Sequence, residues 1–337
     1  MKLSVLDQSP AAKGSTPADA ITASLALARA CDRLGYERYW LSEHHNSSSI
    51  VGSAPEVLMA AVAATTRRIR VGSAGIMLPH YAALKVAEQF RVLEAIAPGR
   101  IDLGLGRAPG SDRLTARALN PHASPSADDF PRQIADLQRW LDGERLPEGH
   151  PYRAITAQPQ GPTSPEMWIL GSSGYGAQLA AHLGLPYAFA YFFSDGLGVE
   201  QALDLYRQNY RPSERFPSAR PTICVWALAA DSTAEAERQL MTREHWRVRF
   251  EQGLLGPLVA PDEAAAYAFS PAEQARIDQL RVNALVGTGP EVAAQIRALA
   301  ASLGLDHIVV NTWAHDPQVR LHSYRLLARE FHLQQEA

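Results

Sequence analysis

The sequence predicts an α/β protein, a (β/α)8 TIM barrel, and three observations carry that expectation. Short apolar runs alternate with longer amphipathic stretches along most of the 337 residues, which is the pattern of parallel βαβ units. Eight such runs can be marked, and eight strands close a barrel, whereas an open doubly wound sheet usually has fewer. The length fits either two average domains or one large barrel over 1–337, and the unbroken eightfold alternation favours the single barrel.

The elements follow in order. A strand over 3–8 precedes Thr16-Pro17-Ala18-Asp19, which supplies a cap, a proline at the first helical position and an acid at the third. That helix should stop at Gly35, a left-handed terminator. A strand at 39–42 and a helix at 55–66 come next, then a strand at 69–78, a helix at 81–96 and a strand at 101–106. The spacing continues with a helix over 127–141, a fifth strand at 167–170 and a helix at 174–182. The sixth strand is expected at 187–191 with a helix at 198–210, and the seventh at 222–229 with a helix from Thr233. Thr288-Gly289-Pro290-Glu291 caps a helix ending near Gly304, 307–311 is the eighth strand, and 317–331 closes as a helix. Two stretches, 143–165 and 250–285, break the repeat and read as irregular insertions, functional loops or lids at the C-terminal face.

Composition narrows the function. Lys and Arg total 32 against 35 Asp and Glu, a net charge of −3, so the basic excess expected for a nucleic-acid or anionic-membrane partner is missing. No apolar run approaches a membrane span and the N-terminus has no signal-peptide core, so a cytoplasmic location is expected. Cys31 and Cys224 stand far apart, excluding a disulfide scaffold and a CxxC zinc site.

Barrel enzymes place their chemistry at the C-terminal ends of the strands, and four features fall there. Ser42-Glu43-His44-His45-Asn46 ends the second strand. Alternation puts Trp40, Ser42 and His44 on one face and Glu43 and His45 on the other, so the histidines do not share a metal. His44 would then face the barrel mouth, where an imidazole exchanges protons near neutral pH; hydrogen bonds that merely cap the strand end explain the group equally well. Gly104-Leu105-Gly106-Arg107-Ala108-Pro109-Gly110 ends the fourth strand without matching GxGxxG. Arg107 has the parity of Ile101, Leu103 and Leu105, here taken as inward, and suits either an anionic ligand or a structural ion pair. In Gly171-Ser172-Ser173-Gly174-Tyr175-Gly176, small residues let backbone N–H groups converge on an anion at a helix start. An ordinary serine cap would look the same, but with Arg107 the segment becomes a phosphate site. Lastly, Gly72 and Gly75 within 71–77 fit the close approach of a flat ligand, or simply a crowded barrel interior.

With these features in this order, the chain resembles the bacterial luciferase-like monooxygenase family of flavin-dependent barrel enzymes. The matching pieces are LDQSP at 6–10, WLSEHHN at 40–46, VGSAGIMLPH at 71–80, APGRIDLGLGRAPGSD at 97–112, ILGSSGYGAQLAAHLGLPYAFA at 169–190 and VGTGPEVAAQIRAL at 286–299. They span nearly the whole chain and fade only in 143–165 and 250–285. The resemblance implies FMN, with its phosphate against Arg107, Ser172, Ser173 and the adjoining backbone at Gly174 and Gly176. It implies an isoalloxazine resting on a non-proline cis peptide at Ala74–Gly75, and His44 as the active-site histidine. Luciferases proper carry glutamate where this chain has Ser172, so light emission is not implied. The implied reaction uses reduced FMN from a separate flavin reductase and O2, forming a C4a-hydroperoxyflavin that oxygenates a small organic substrate. Family alternatives are an F420-dependent oxidoreductase of the same fold and a flavin-binding protein without turnover. The resemblance also implies pairing through the second and third barrel helices. Helix 55–66 has a single charge at Glu56, so an outer face of Ala and Met, with Lys85, Glu88, Arg91 and Glu94 of the next helix as a polar rim, predicts a homodimer that a charge at Met59 or Val62 should break; the helix propensity of alanine would explain the same composition.

Overall fold

The computed structural model describes residues 1–108, 110–121 and 129–333. Strands β1 (Lys2–Asp7), β2 (Arg38–Leu41), β3 (Arg70–Ser73), β5 (Ile101–Gly106), β6 (Glu166–Gly171), β7 (Tyr187–Phe189), β8 (Pro221–Ala230) and β10 (His307–Asn311) lie side by side in that order. All pair in parallel, and β10 pairs with both β1 and β8, so the ring closes on eight strands. The short β4 (Ile76–Met77) resumes pairing with β5 after the Ala74–Gly75 interruption, so the strand expected over 69–78 is broken in two. One strand escaped the sequence reading: β9 (Leu285–Thr288) lengthens the sheet by pairing with Ala227–Ala230, beyond the part of β8 that closes the ring.

Around the ring run α1 (Pro17–Leu34), α2 (Pro55–Thr65), α3 (Ala83–Ile96), α4 (Arg113–Leu119), α5 (Asp129–Asp142), α6 (Gly174–Leu183), the turn α7 (Tyr191–Ser194) and α8 (Val199–Asn209). They are followed by α9 (Thr233–Glu251), α10 (Pro261–Ala265), α11 (Pro271–Val282), α12 (Gly289–Ser302) and α13 (Pro317–Glu330). The start of the helix expected over 127–141 lies outside the described residues. Thr16 caps α1 reciprocally with Asp19, and Gly35 ends it at φ 85°, where glycine alone is unstrained. The expected irregularity of 250–285 is wrong. Ser270 and Glu273 form the same reciprocal cap at the start of α11, through Ser270 Oγ and the Glu273 carboxylate. The sixth strand is also shorter than expected, because the chain turns helical at Tyr191.

Residues 143–165 contain no helix or strand, as expected, but they are no lid. They join α5 to β6 and so lie at the opposite end of the barrel from the strand C-termini. Buried Arg91 pins them there, donating to the carbonyls of Pro159, Gly161 and Thr163 and to Leu141.

The core has two shells. Ile101, Leu103 and Leu105 pack outward with Tyr39, Leu41 and Phe90 against the helices. Leu6, Trp40, Trp168, Ala188, Cys224 and Val309 fill the ring. The inward parity assumed for Ile101, Leu103 and Leu105 is therefore reversed: β5 turns Asp102 and Gly104 inward. A closed eight-stranded ring leaves little room inside, so the larger apolar layer lies beneath the helices. The ring's floor is charged. Fully buried Asp102 accepts from Arg38 (2.6 Å), Arg70 (2.5 and 2.8 Å) and Trp40 Nε1 (2.9 Å), while Glu166 takes Arg38, Arg220 and Trp168 Nε1. Burial alone would raise the Asp102 pKa, but Arg38 and then Arg70 outweigh it and hold the carboxyl below its ordinary value.

Candidate active site

At the C-terminal mouth the ring opens into a cavity of about 720 Å³, within the range of small-molecule sites. His44, Ala74, Gly75, Arg107, Ser172, Ser173 and Gly176 all line it. Gly174 does not: it starts α6 on the side of Leu205.

Strand β2 stops at Leu41, so strict alternation lapses beyond it and both His44 and His45 reach the cavity. This corrects the opposite faces assigned to them. His45 Nε2 is held 2.7 Å from Glu43 Oε1, which also accepts from Tyr81 OH, and Glu43 Oε2 accepts from the Met77 N–H. Glu43 is thus a buried clamp joining this segment to β4. His44 Nδ1 lies 3.1 Å from Ser42 Oγ, and its backbone N–H donates to Gly52 O. Burial, and secondarily His45, lowers the His44 pKa to about 4. At pH 7 its ring is therefore neutral, and Nε2 is the nitrogen without a partner among the described residues.

The two glycines of the third strand separate cleanly. A Cβ on Gly72 would strike the Trp40 ring and Asp102, so Gly72 serves interior packing. A Cβ on Gly75 would come within 2.7 Å of Leu170 Cδ1 and 2.8 Å of Gly104 O. The Ala74–Gly75 peptide is cis and its residues form part of the cavity wall.

Arg107 lies just past the end of β5, where strand parity no longer governs its direction, and it is exposed at the cavity rim. Its guanidinium stacks 4.0 Å from the Tyr175 ring centroid and makes no ion pair with a described residue. Ser173 precedes α6 without capping it by its side chain, so the helix's first N–H groups are not satisfied by that hydroxyl. A helix start, two exposed hydroxyls and a guanidinium without an ion pair among the described residues stand at one rim, an arrangement with the donors that an anion requires.

The opposite wall was not foreseen. It is built by Trp226, Arg243, Trp246, Phe250, Asn311 and Trp313. Trp246 packs edge-on against Trp313, with centroids 4.5 Å apart, and stacks on Phe250. A readable signal existed: Arg243, Trp246, Arg247 and Phe250 stand at i, i+3, i+4 and i+7, one stripe of α9. Among the described residues, no group of three or more His, Cys, Asp or Glu is placed to hold a metal, and no helix is long and apolar enough to cross a membrane.

Comparison with known proteins shows the family and the fold. The family described as Luciferase-like monooxygenase matches residues 1–307. A "Luciferase-like monooxygenase" of Escherichia coli (strain K12) is 42% identical over 323 residues, covering 96% of this chain and 95% of the relative. The crystal structure of apo-MsnO8 superposes with a TM-score of 0.90 at 39% identity, covering 99% of both chains. The fold is shared with the oxygenating constituent of 3,6-diketocamphane monooxygenase from Pseudomonas putida, a structure in complex with FMN. There the TM-score is 0.71 at 20% identity, covering 98% of this chain and 97% of that one.

Proposed function

The chain belongs to the luciferase-like monooxygenase family, and from that premise we propose that it uses reduced FMN and O2 to oxygenate a small organic substrate. The observation that carries this reading is one continuous cavity with the anion site of Arg107 and α6 at one rim, the Ala74–Gly75 backbone in its wall and a neutral histidine beside it. Arg107, Ser172, Ser173 and the α6 N–H groups would hold the phosphate. Ala74 and Gly75 would support the ring system, where the absence of a side chain at Gly75 permits close approach. Bound reduced flavin supplies the electrons that activate dioxygen. The aromatic wall of Trp226, Trp246 and Trp313 would exclude water, and His44 Nε2 would pass a proton.

Equilibrium binding of FMN, reduced FMN and F420 tests the reading, and tight binding of F420 but neither flavin would overturn it. Arg107→Ala should weaken FMN by about 10- to 150-fold, the equivalent of about 1.5–3 kcal/mol for a charge-assisted contact, while riboflavin, lacking phosphate, changes little. Equal losses for both ligands would remove Arg107 from the phosphate site.

A separate flavin reductase is the partner this chemistry calls for, and a homodimer through α2 and α3 remains part of the proposal with different anchors. Met59 and Val62 are buried in the core, as are Arg91 and Glu94, so the outward face and polar rim first assigned to them do not exist. A helix packed on a closed ring must turn its larger apolar side chains toward the strands. The exposed apolar residues of these neighbouring helices are Val57 (64% exposed), Val92 and Ile96. Light scattering should give a two-chain mass at micromolar concentration and a one-chain mass for Val57→Glu. A wild-type monomer, or a Val57→Glu dimer, argues against this face.

A further inference from the structure

Arg243 is 8% exposed, lines the cavity and makes no hydrogen bond or ion pair with any described residue. Its guanidinium carbon lies 4.4 Å from the centroid of the Trp226 ring, over the ring's face. Such a stack falls short of what burying an uncompensated charge costs.

The neighbouring charges show that the vacancy is specific to Arg243. Asp195 accepts from Arg276 (2.6 Å) and lies 3.4 Å from Arg247. Glu251 is held by both Arg247 (2.6 Å) and Arg276 (2.8 Å). Glu244 is engaged by Arg281 through two bonds of 2.6 and 2.9 Å. Three arginines thus share these three carboxylates, and Arg243, which lines the cavity, pairs with none of them. Burial, then repulsion from Arg247, lowers the Arg243 pKa to about 10, so the group is still charged at pH 7.

The surrounding polar atoms point the same way. The indole N–H groups of Trp226, Trp246 and Trp313 have no acceptor among the described residues, and all three rings line the cavity. Asn311 Oδ1 is the one unpaired acceptor among these cavity-lining groups. A wall rich in unused donors and otherwise aromatic fits a molecule that is apolar over most of its length and ends in an acceptor-only group.

We propose that Arg243 is the substrate-anchoring residue, and that the substrate class is small apolar carboxylic acids whose carboxylate docks on its guanidinium. This rests on the flavin-dependent reading for what happens to the substrate, but not for the anchoring itself. The anion site at Arg107 lies across the mouth, on the β5 and β6 side, leaving Arg243 free for a second anion.

The test uses calorimetry on the full chain, with and without FMN, and two matched pairs: octanoate and 3-phenylpropanoate, each against its methyl ester. The acids should bind at least about tenfold more tightly than the esters, because the ester removes the charge and little else. R243Q should abolish the preference, R243K should keep part of it, and both should bind FMN like the wild type. Far-ultraviolet circular dichroism and the thermal midpoint report whether each variant is folded; if R243Q does not fold, loss of the preference in folded R243K overturns the proposal. Absence of acid binding, equal affinity for acid and ester, or a preference that survives R243Q also overturns it. A loss of FMN affinity in folded R243Q without loss of the acid preference assigns Arg243 to the flavin instead. If the wild type binds acids selectively but no FMN, the anchoring stands and the flavin reading falls.

Discussion

His44→Ala is expected to cut oxygenated product per reduced FMN consumed by about 10²–10⁴-fold, the usual contribution of a positioned acid–base group, with FMN affinity nearly unchanged. The ring is held in place by Ser42 Oγ at Nδ1 and by the backbone bond to Gly52, so truncation removes the proton carrier without disturbing the phosphate rim. Its pKa of about 4 means that a neutral imidazole, not a cation, meets the substrate complex at pH 7. The effect therefore cannot be a lost charge–charge attraction to an anionic ligand. The measurement is oxygen incorporated into a turned-over acid per flavin oxidised, alongside the FMN dissociation constant. Unchanged coupling would reduce His44 to a strand-end cap. A parallel fall in FMN affinity would mean that it supports the cofactor rather than the proton.

The largest stability loss is expected at the far end of the barrel. Asp102→Ala leaves Arg38 and Arg70 facing each other without their shared carboxylate, and Trp40 Nε1 without an acceptor. Breaking a buried charge network in this way typically costs about 3–5 kcal/mol, because the remaining ions cannot recover their hydration. An exposed pair such as Lys2–Glu37 contributes about 0–1 kcal/mol by comparison. Denaturant midpoints should separate the two: Asp102→Ala moves far below the wild type and Glu37→Ala stays close to it. A shift for Asp102→Ala no larger than that of Glu37→Ala would show that water reaches the floor and repairs the loss.

Much of the fold could be read residue by residue wherever the signal is local. The strands Ile101–Gly106 and His307–Asn311 match their sequence limits, and Thr16, Gly35 and Thr288 mark real helix ends. The cap Ser270-Pro271-Ala272-Glu273 carries the same signature and was passed over because the segment looked irregular in its neighbours. Most of the cavity rim was legible too, since glycines and serines at strand ends keep their meaning without coordinates. The errors share a different character. Ile101, Leu103 and Leu105 were turned inward, Met59 and Val62 outward, and 143–165 was put at the wrong end of the barrel.

Read by itself, the amino-acid order determined which elements form, how many strands close the ring and which small residues crowd its mouth. These follow from caps, periodicity and steric limits acting within a few residues. Sidedness and pairing were settled by the tertiary structure alone. Closing the ring decides which strand face meets the helices, and only the folded arrangement shows that Asp195, Glu244 and Glu251 are already engaged. The lone charge at Arg243 is a through-space fact, since Arg276 and Arg281, which engage Asp195, Glu251 and Glu244, are brought to α9 by the distant α11.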